Sequence, residues 1–128
     1  MYNFSFEKVN SVEEAVAAIQ KADDGKFVAG GQTMLPTMKH RLADPSNIID
    51  LSGIKSLTEI KANNQCVTIG AMVTHRSVAS SPDVLRDIPA LAKLAGNIGD
   101  PAVRNRGTIG GSIANNDPAA DYPAAVIG

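Results

Sequence analysis

The stretch KFVAGGQTMLPTMKHRLADPSNIIDLS, Lys26 to Ser52, contains the pattern that decides the fold. KFV is a short apolar run that ends in paired glycines, and NIIDLS is a second such run, so both are typical of buried strands. Between them, TMLPTMKHRLA is typical of a turn and a helix that begins or is interrupted near Pro36. The sequence therefore predicts a small parallel βαβ-like lobe over residues 1–55.

Upstream of this stretch, SVEEAVAAIQKADDG has the pattern of an amphipathic helix. Ser11 and Glu14 stand at capping-box spacing, which predicts the start of the helix. Gly25 is a typical stop signal, so we expect the helix to end there.

Downstream, LTEIKANNQCVTIG predicts two strands joined by a turn at Asn63 and Asn64. THRSVASS predicts a short helix capped by Thr74, and PDVLRDIPALAKLAGNIG predicts helical structure broken or restarted at Pro89. Beyond Asp100 the residues are small and turn-forming until PAADYPAAVIG, which predicts a last element. Together these patterns predict an α+β fold in which residues 56–128 begin a second lobe.

Composition excludes several classes of function. The chain has 128 residues, with 12 basic and 13 acidic side chains, so it lacks the cationic field that nucleic acids or anionic membranes require. Cys66 is the only cysteine, which excludes a four-thiolate iron–sulfur or zinc site built from this chain alone. MYNFSFEKVN does not resemble a signal peptide and no apolar run is long enough for a membrane span, so we expect a cytoplasmic protein.

Two glycine-rich turns share one chemistry: VAGGQT, Val28 to Thr33, and GTIGGS, Gly107 to Ser112. Each places consecutive glycines beside a hydroxyl residue, apparently after an extended segment. Glycine lets successive backbone N–H groups converge on an anion, and the hydroxyls add donors. The two turns are therefore candidates for binding phosphate without a lysine, although glycine pairs also form ordinary tight turns.

Neither turn matches a known phosphate-binding motif. A Walker A loop needs Lys followed by Ser or Thr after its last glycine, and that run is absent. Gly30 and Asp50 imitate the spacing of a Rossmann fingerprint, but the third glycine is missing. Two separate turns instead suit a pyrophosphate held between two lobes, as in a dinucleotide cofactor.

Three segments carry a resemblance to a known family: AGGQTMLPTMKHRLADPSNIIDLSGI, TIGAMVTH and RNRGTIGGSIANNDPAADYPAA. They resemble the FAD-binding medium subunit of molybdenum hydroxylases, the group that includes carbon monoxide dehydrogenase and xanthine dehydrogenase. The resemblance implies that both glycine turns hold the FAD diphosphate and that an acidic residue contacts the ribose or adenosine part. By position, the implied cofactor-binding residues are Ala29, Gly30, Gly31, Gln32 and Thr33 in the first turn, Thr108, Ile109, Gly110, Gly111 and Ser112 in the second, and Asp121 downstream.

The resemblance also implies a fold and an assembly. The fold is a two-lobed FAD-binding domain of the PCMH (vanillyl-alcohol-oxidase-like) type. Because family members are longer, we expect this chain to be truncated within the second lobe. The implied role is to relay electrons from two-iron two-sulfur clusters on a small subunit, fed by a molybdenum cofactor on a large subunit, through FAD to an external acceptor. Alternatives are a phosphate-anchored scaffold module whose glycines only form turns, and a different flavin enzyme of the same broad fold.

Single residues have less specific interpretations. Cys66 lies in a strand pattern and is expected to be buried as a small hydrophobe. His40 and His75 have no partners at metal-ligand spacing. A surface or capping role is expected for His75, with a position facing the cofactor as the alternative. Arg104 and Arg106 flank the second turn, either as solvated loop residues, as counter-charges to phosphate or as contacts to a partner subunit.

Overall fold

The computed structural model describes residues 1–127 and divides the chain into two compact units. The first unit is Met1–Lys55, and the second begins at Ser56. Both helices and strands are present, in agreement with the predicted mixed α+β class.

The first unit is built on a three-stranded parallel sheet with strand order β1-β3-β2. Its strands are β1 (Ser5–Lys8), β2 (Gly25–Val28) and β3 (Asn47–Asp50), and both β1 and β2 start opposite Asn47. The parallel pairing of β2 and β3 confirms the predicted strand–helix–strand unit. Strand β1 was not predicted, because the residues Ser5–Lys8 show no alternation of apolar and polar side chains. In the structure all four side chains are exposed.

Two helices connect these strands: α1 (Val12–Lys21) and α2 (Met34–Lys39). The Ser11 hydroxyl accepts from the Glu14 amide at 3.1 Å, as predicted for the start of α1. Helix α1 ends at Lys21 rather than at Gly25, which instead opens β2. A Cβ at Gly25 would lie 2.7 Å from Ile19 Cδ1, so the glycine is needed for packing and not as a helix stop. The core against α2 contains Val28, Met38 and Ile48.

The second unit begins with the antiparallel hairpin of β4 (Ile60–Ala62) and β5 (Val67–Ile69). The Asn63 side-chain oxygen accepts from the amides of Gln65 and Cys66, which fixes the turn and confirms the predicted hairpin. Cys66 lies in this turn and is exposed, so the expectation of burial was wrong.

Three helices follow the hairpin: α3 (His75–Ser80), α4 (Pro82–Asp87) and α5 (Pro89–Asn97). Thr74 caps α3 by accepting from the Ser77 amide, and Pro89 begins α5, both as predicted. Their apolar faces, together with Val73 just before α3, form a core with Val78, Val84, Ala92 and Ala95, to which Tyr122 is added from the last helix.

The segment after Asp100 is helical, which corrects the prediction that it is rich in turns. It contains α6 (Pro101–Arg106), α7 (Ile109–Asn115) and α8 (Asp121–Ile127). Asp100 caps α6 by accepting from the Val103 amide, and Thr108 caps α7 by accepting from the Gly111 amide. Caps and tertiary packing therefore outweigh the low helix propensity of the glycines and asparagines here.

Candidate functional site

The first glycine turn joins β2 to α2. Gly31 has φ +74°, in the left-handed region that favours glycine. Its carbonyl accepts from the Leu35 amide at 3.1 Å, so the chain passes directly from the turn into the helix. A Cβ at Gly31 would lie 2.8 Å from Leu35 Cδ1. The backbone conformation therefore favours glycine at this position, and an added Cβ would also displace the end of the Leu35 side chain.

The first turn leaves a row of backbone donors free. Within residues 1–127, the amides of Gly30, Gly31, Gln32 and Thr33 donate to no other atom of the protein. The carbonyls of the same turn are used: Gly30 accepts from Gln32 Nε2, and Thr33 accepts from both the amide and the hydroxyl of Thr37. The Thr33 side chain makes no capping bond. Consecutive free amides beside a free hydroxyl match the donors that an anion requires.

The second glycine turn is the start of a helix and does not follow a strand. Thr108 is buried and forms an isolated antiparallel bridge with Thr74. Ile109, Gly110, Gly111 and Ser112 form the first turn of α7. The expectation that both turns follow extended segments is therefore wrong for this one.

The amides of the second turn already have partners. The Ile109 amide donates to the Val73 carbonyl at 3.0 Å, and the Gly110 amide donates to the Ala71 carbonyl at 2.9 Å. The amides of Gly111 and Ser112 both donate to Thr108, one to its hydroxyl and one to its carbonyl.

Gly110 packs closely against the backbone of the neighbouring segment. A Cβ at Gly110 would lie 2.6 Å from the Ala71 carbonyl oxygen and 2.8 Å from the Ala71 Cα. This glycine therefore allows close packing inside the second unit, whether or not a ligand approaches it.

Asp121 is the exposed first residue of α8, and α7 and α8 contact each other in the second unit. Its carboxylate is therefore accessible to a ligand. Asp117, four positions earlier, forms a local turn in which its Oδ1 accepts from the Ala119 amide at 2.9 Å. This contact makes Asp117 a turn residue.

His75 has surroundings that sequence reasoning missed. It is 4% exposed, so the expected surface role was wrong. Its Nδ1 forms a hydrogen bond of 3.3 Å with the hydroxyl of Tyr122, which is also buried. Burial lowers the pKa of His75, and the weaker effect of Asp121 acts in the opposite direction. Burial, together with Asp121, raises the pKa of Tyr122 to about 12. Both side chains are therefore uncharged at neutral pH.

The arginines near the second turn differ in their contacts. Arg104 belongs to α6, and its Nη1 donates to the carbonyls of Ile98 and Gly99 at 3.1 and 2.9 Å. This arginine therefore stabilises the preceding loop. Arg106 is exposed at the end of the same helix.

Metal-ligand clusters and membrane-spanning helices are both absent from residues 1–127. No group of three or more His, Cys, Asp or Glu side chains in this part of the chain is arranged to hold a metal ion. None of its helices is both long and apolar enough to span a membrane.

Comparison with known proteins gives consistent results. The family model described as the FAD binding domain in molybdopterin dehydrogenase matches residues 2–128. The carbon monoxide dehydrogenase medium chain of Hydrogenophaga pseudoflava is 46% identical over 125 residues, covering 97% of this chain and 44% of the relative. The nicotine 6-hydroxylase medium subunit of Paenarthrobacter nicotinovorans is 40% identical over 117 residues, covering 91% of this chain and 41% of the relative.

A solved structure agrees with the sequence relatives. Carbon monoxide dehydrogenase from Hydrogenophaga pseudoflava superposes with a TM-score of 0.94 at 46% identity, covering 97% of this chain and 44% of that chain. The chain thus spans less than half the length of the relatives it matches. Because the family model covers almost every residue, the chain belongs to the family of FAD-binding domains of molybdopterin dehydrogenases.

Proposed function

We propose that this chain is the FAD-binding part of the medium subunit of a molybdenum hydroxylase, and that it acts in the cytoplasm. The observation that carries the proposal is the first glycine turn, where the amides from Gly30 to Thr33 have no partner within residues 1–127 of a chain of the FAD-binding family. The relatives' names describe medium subunits and chains, which are parts of multi-subunit assemblies. A two-lobed PCMH-type domain, of which the chain supplies the first lobe and part of the second, is the fold we propose.

The first turn fits a diphosphate. Its free amides, together with the Thr33 hydroxyl, would donate hydrogen bonds to phosphate oxygens. Gly31 adopts the left-handed conformation that glycine accommodates without strain. We assign Ala29, Gly30, Gly31, Gln32 and Thr33 to this role.

The second turn would contribute in a different way from the first. Because its amides bond within the protein and Gly110 packs against Ala71, the group left for a ligand is the Ser112 hydroxyl. We propose that Thr108, Ile109, Gly110, Gly111 and Ser112 present a closely packed backbone surface to the cofactor, with Ser112 as its donor. This division of roles follows from the hydrogen bonds of the two turns.

Asp121 is proposed to accept hydrogen bonds from hydroxyl groups of the ribose. Its carboxylate is exposed at the start of α8, and its two oxygens can accept hydrogen bonds. A hydrogen bond to a charged acceptor is worth about 1.5–3 kcal/mol, which makes this residue a useful test of the proposal.

Bound FAD supplies the redox chemistry that connects one-electron and two-electron partners. The protein's part is to hold the cofactor and set its orientation toward other subunits. We propose that those are a small subunit carrying two-iron two-sulfur clusters and a large subunit carrying the molybdenum cofactor. With Cys66 as the only cysteine, this chain has no ligand set for such clusters of its own. Electrons would leave to an external acceptor.

A paired substitution at two aspartates tests the proposal. In the protein purified in its native assembly, Asp121→Asn is expected to weaken FAD affinity at least tenfold, because the charged acceptor becomes a neutral amide. Asp117→Asn is the matched control, since an asparagine oxygen still accepts from the Ala119 amide. Flavin absorbance during dilution or dialysis measures the retained cofactor. Absence of flavin from the wild-type assembly, or equal retention by both variants, would contradict the assignment.

A further inference from the structure

His75 lies between the two segments of the second unit that are assigned to FAD. It is the first residue of α3 and belongs to neither segment. One segment is the second glycine turn, and the other is the start of α8 with Asp121. His75 is 4% exposed and contacts the residues that flank both.

The first set of contacts reaches the second glycine turn through Gly107. The His75 amide donates to the Gly107 carbonyl at 3.0 Å, beside the bridge between Thr74 and Thr108. The imidazole also lies against the Gly107 backbone, since a Cβ at Gly107 would stand 2.6 Å from His75 Nε2. The His75 imidazole therefore limits how closely Gly107, at the beginning of the second glycine turn, can approach α3.

The second set of contacts reaches α8 through Tyr122. The hydrogen bond between His75 Nδ1 and the Tyr122 hydroxyl is 3.3 Å long, and the two ring centroids are 5.3 Å apart. Tyr122 is fully buried and is the residue next to Asp121. Fixing the tyrosine therefore fixes the first turn of α8, which carries the Asp121 carboxylate.

We propose that His75 is a positioning residue for FAD binding. Through its contacts with Gly107 and Tyr122, His75 holds the second glycine turn and Asp121 in a fixed arrangement. The proposal rests on the proposed function and adds a residue that does not itself touch the cofactor. One ring packs against the backbone at one end and makes a hydrogen bond at the other. An aliphatic residue of similar size would supply only the packing.

The buried site favours an uncharged imidazole. The site is buried, and the ionisable groups acting on His75 from α8 are Tyr122, through its hydroxyl, and Asp121, through its charge. Protonation would place a cation in this buried site and disfavour the arrangement. FAD affinity is therefore expected to fall as the pH drops below the usual range for histidine, in parallel with a loosening of the turn.

The test compares variants in the protein purified in its native assembly. Tyr122→Phe removes only the hydroxyl, and His75→Leu removes the hydrogen-bonding ring. His75→Asn places an amide near the former Nδ1 position and is the conservative rescue. Val78→Ala is the matched control, because Val78 is a fully buried residue of the same helix that belongs to the core and not to this hydrogen bond.

Two measurements are made on each variant. The first is the dissociation constant for FAD between pH 5.5 and 8, measured where all variants are folded. We expect Tyr122→Phe to weaken binding about threefold to tenfold, as for the loss of one hydrogen bond, His75→Leu to weaken it more, and His75→Asn to restore part of the affinity. We also expect His75→Asn to remove the loss of affinity at low pH. Val78→Ala should lower thermal stability without changing the affinity.

The second measurement is amide hydrogen exchange without FAD. Faster exchange in residues 107–112 and 121–124 is expected in Tyr122→Phe but not in Val78→Ala. If the wild type binds no FAD, the proposed function fails, and this second measurement alone decides whether His75 couples the two segments. Unchanged affinity and exchange in Tyr122→Phe, or effects equal to those of Val78→Ala at matched stability, would overturn the inference.

Discussion

Gly31 is the residue of the first turn whose conformation no ordinary side chain adopts easily. Its φ of +74° and the neighbouring Leu35 side chain both oppose a Cβ. Asparagine tolerates the left-handed region better than branched residues do. The identity of this residue therefore controls the shape of the proposed phosphate site.

Substitutions at Gly31 are expected to form a graded series. Gly31→Val should destabilise the chain by about 1–3 kcal/mol because the backbone is strained, and Gly31→Asn should cost less. FAD affinity should follow the same order if the turn holds the diphosphate. Urea denaturation and flavin binding measure the two effects. Equal stability of the valine and asparagine variants would show that the left-handed conformation does not constrain this site.

At His75 we expect a pH-dependent contribution to stability. Because burial lowers its pKa below the usual 6.5, the unfolded chain takes up a proton at pH values where the folded chain does not. Above about pH 7, His75 therefore makes no pH-dependent contribution to the free energy of unfolding. As the pH falls through 6.5, its contribution lowers that free energy. Urea denaturation of the wild type and of His75→Asn from pH 5 to 8 measures it. The difference between the two curves should widen toward low pH, and a constant difference would contradict the assignment.

Helix α7 depends on its cap and on one close packing contact. Thr108 supplies the hydroxyl that accepts from the Gly111 amide, and Gly110 lies against the Ala71 backbone. Both interactions fix the conformation of the second turn in the absence of a ligand. The start of α7 is therefore preformed.

Removing the cap is expected to cost about 1 kcal/mol. Thr108→Ala loses the hydroxyl acceptor, whereas Thr108→Ser keeps it and serves as the control. Thermal or urea unfolding of the two variants gives the difference in stability. A serine variant as unstable as the alanine variant would point to the buried methyl group, and not the cap, as the source of the effect.

The two adjacent glycines of α7 should respond differently to alanine. Gly110→Ala forces a Cβ to within 2.6 Å of the Ala71 carbonyl oxygen, so either the helix or the facing backbone must move. Gly111→Ala keeps the hydrogen bond from the amide of residue 111 to the Thr108 hydroxyl, and alanine has a higher helix propensity than glycine. Unfolding experiments should show Gly110→Ala to be less stable than Gly111→Ala, and the reverse order would contradict the packing described here.

At the scale of the whole molecule, we expect FAD affinity to depend on how much protein encloses the cofactor. The chain spans 44% of the Hydrogenophaga pseudoflava medium chain. Less protein surface is then available to enclose a cofactor the size of FAD, and fewer groups are held ready for it. We expect the 128-residue chain by itself to bind FAD more weakly than the complete medium chain of that relative. Fluorescence titration of both proteins with FAD measures this, and equal affinities would show that the present residues suffice.

Much of the local structure was predictable because it depends on neighbours within a few residues. Ser11 with Glu14, Thr74 with Ser77, and the Asn63 turn are all contacts at short sequence separation. The spacing of such residues is visible in the sequence itself. The family resemblance was visible for a similar reason, since it is carried by contiguous motifs.

What the sequence alone determined is the mixed fold, the parallel strand–helix–strand unit, the hairpin and the family. Only the tertiary structure decided which glycine turn keeps its amides free, because those of Ile109 and Gly110 are satisfied by carbonyls from the distant segment of Ala71 to Val73. It also decided the burial of His75, whose partner Tyr122 lies 47 residues away. Such contacts depend on how distant segments pack, and no local spacing of residues encodes them.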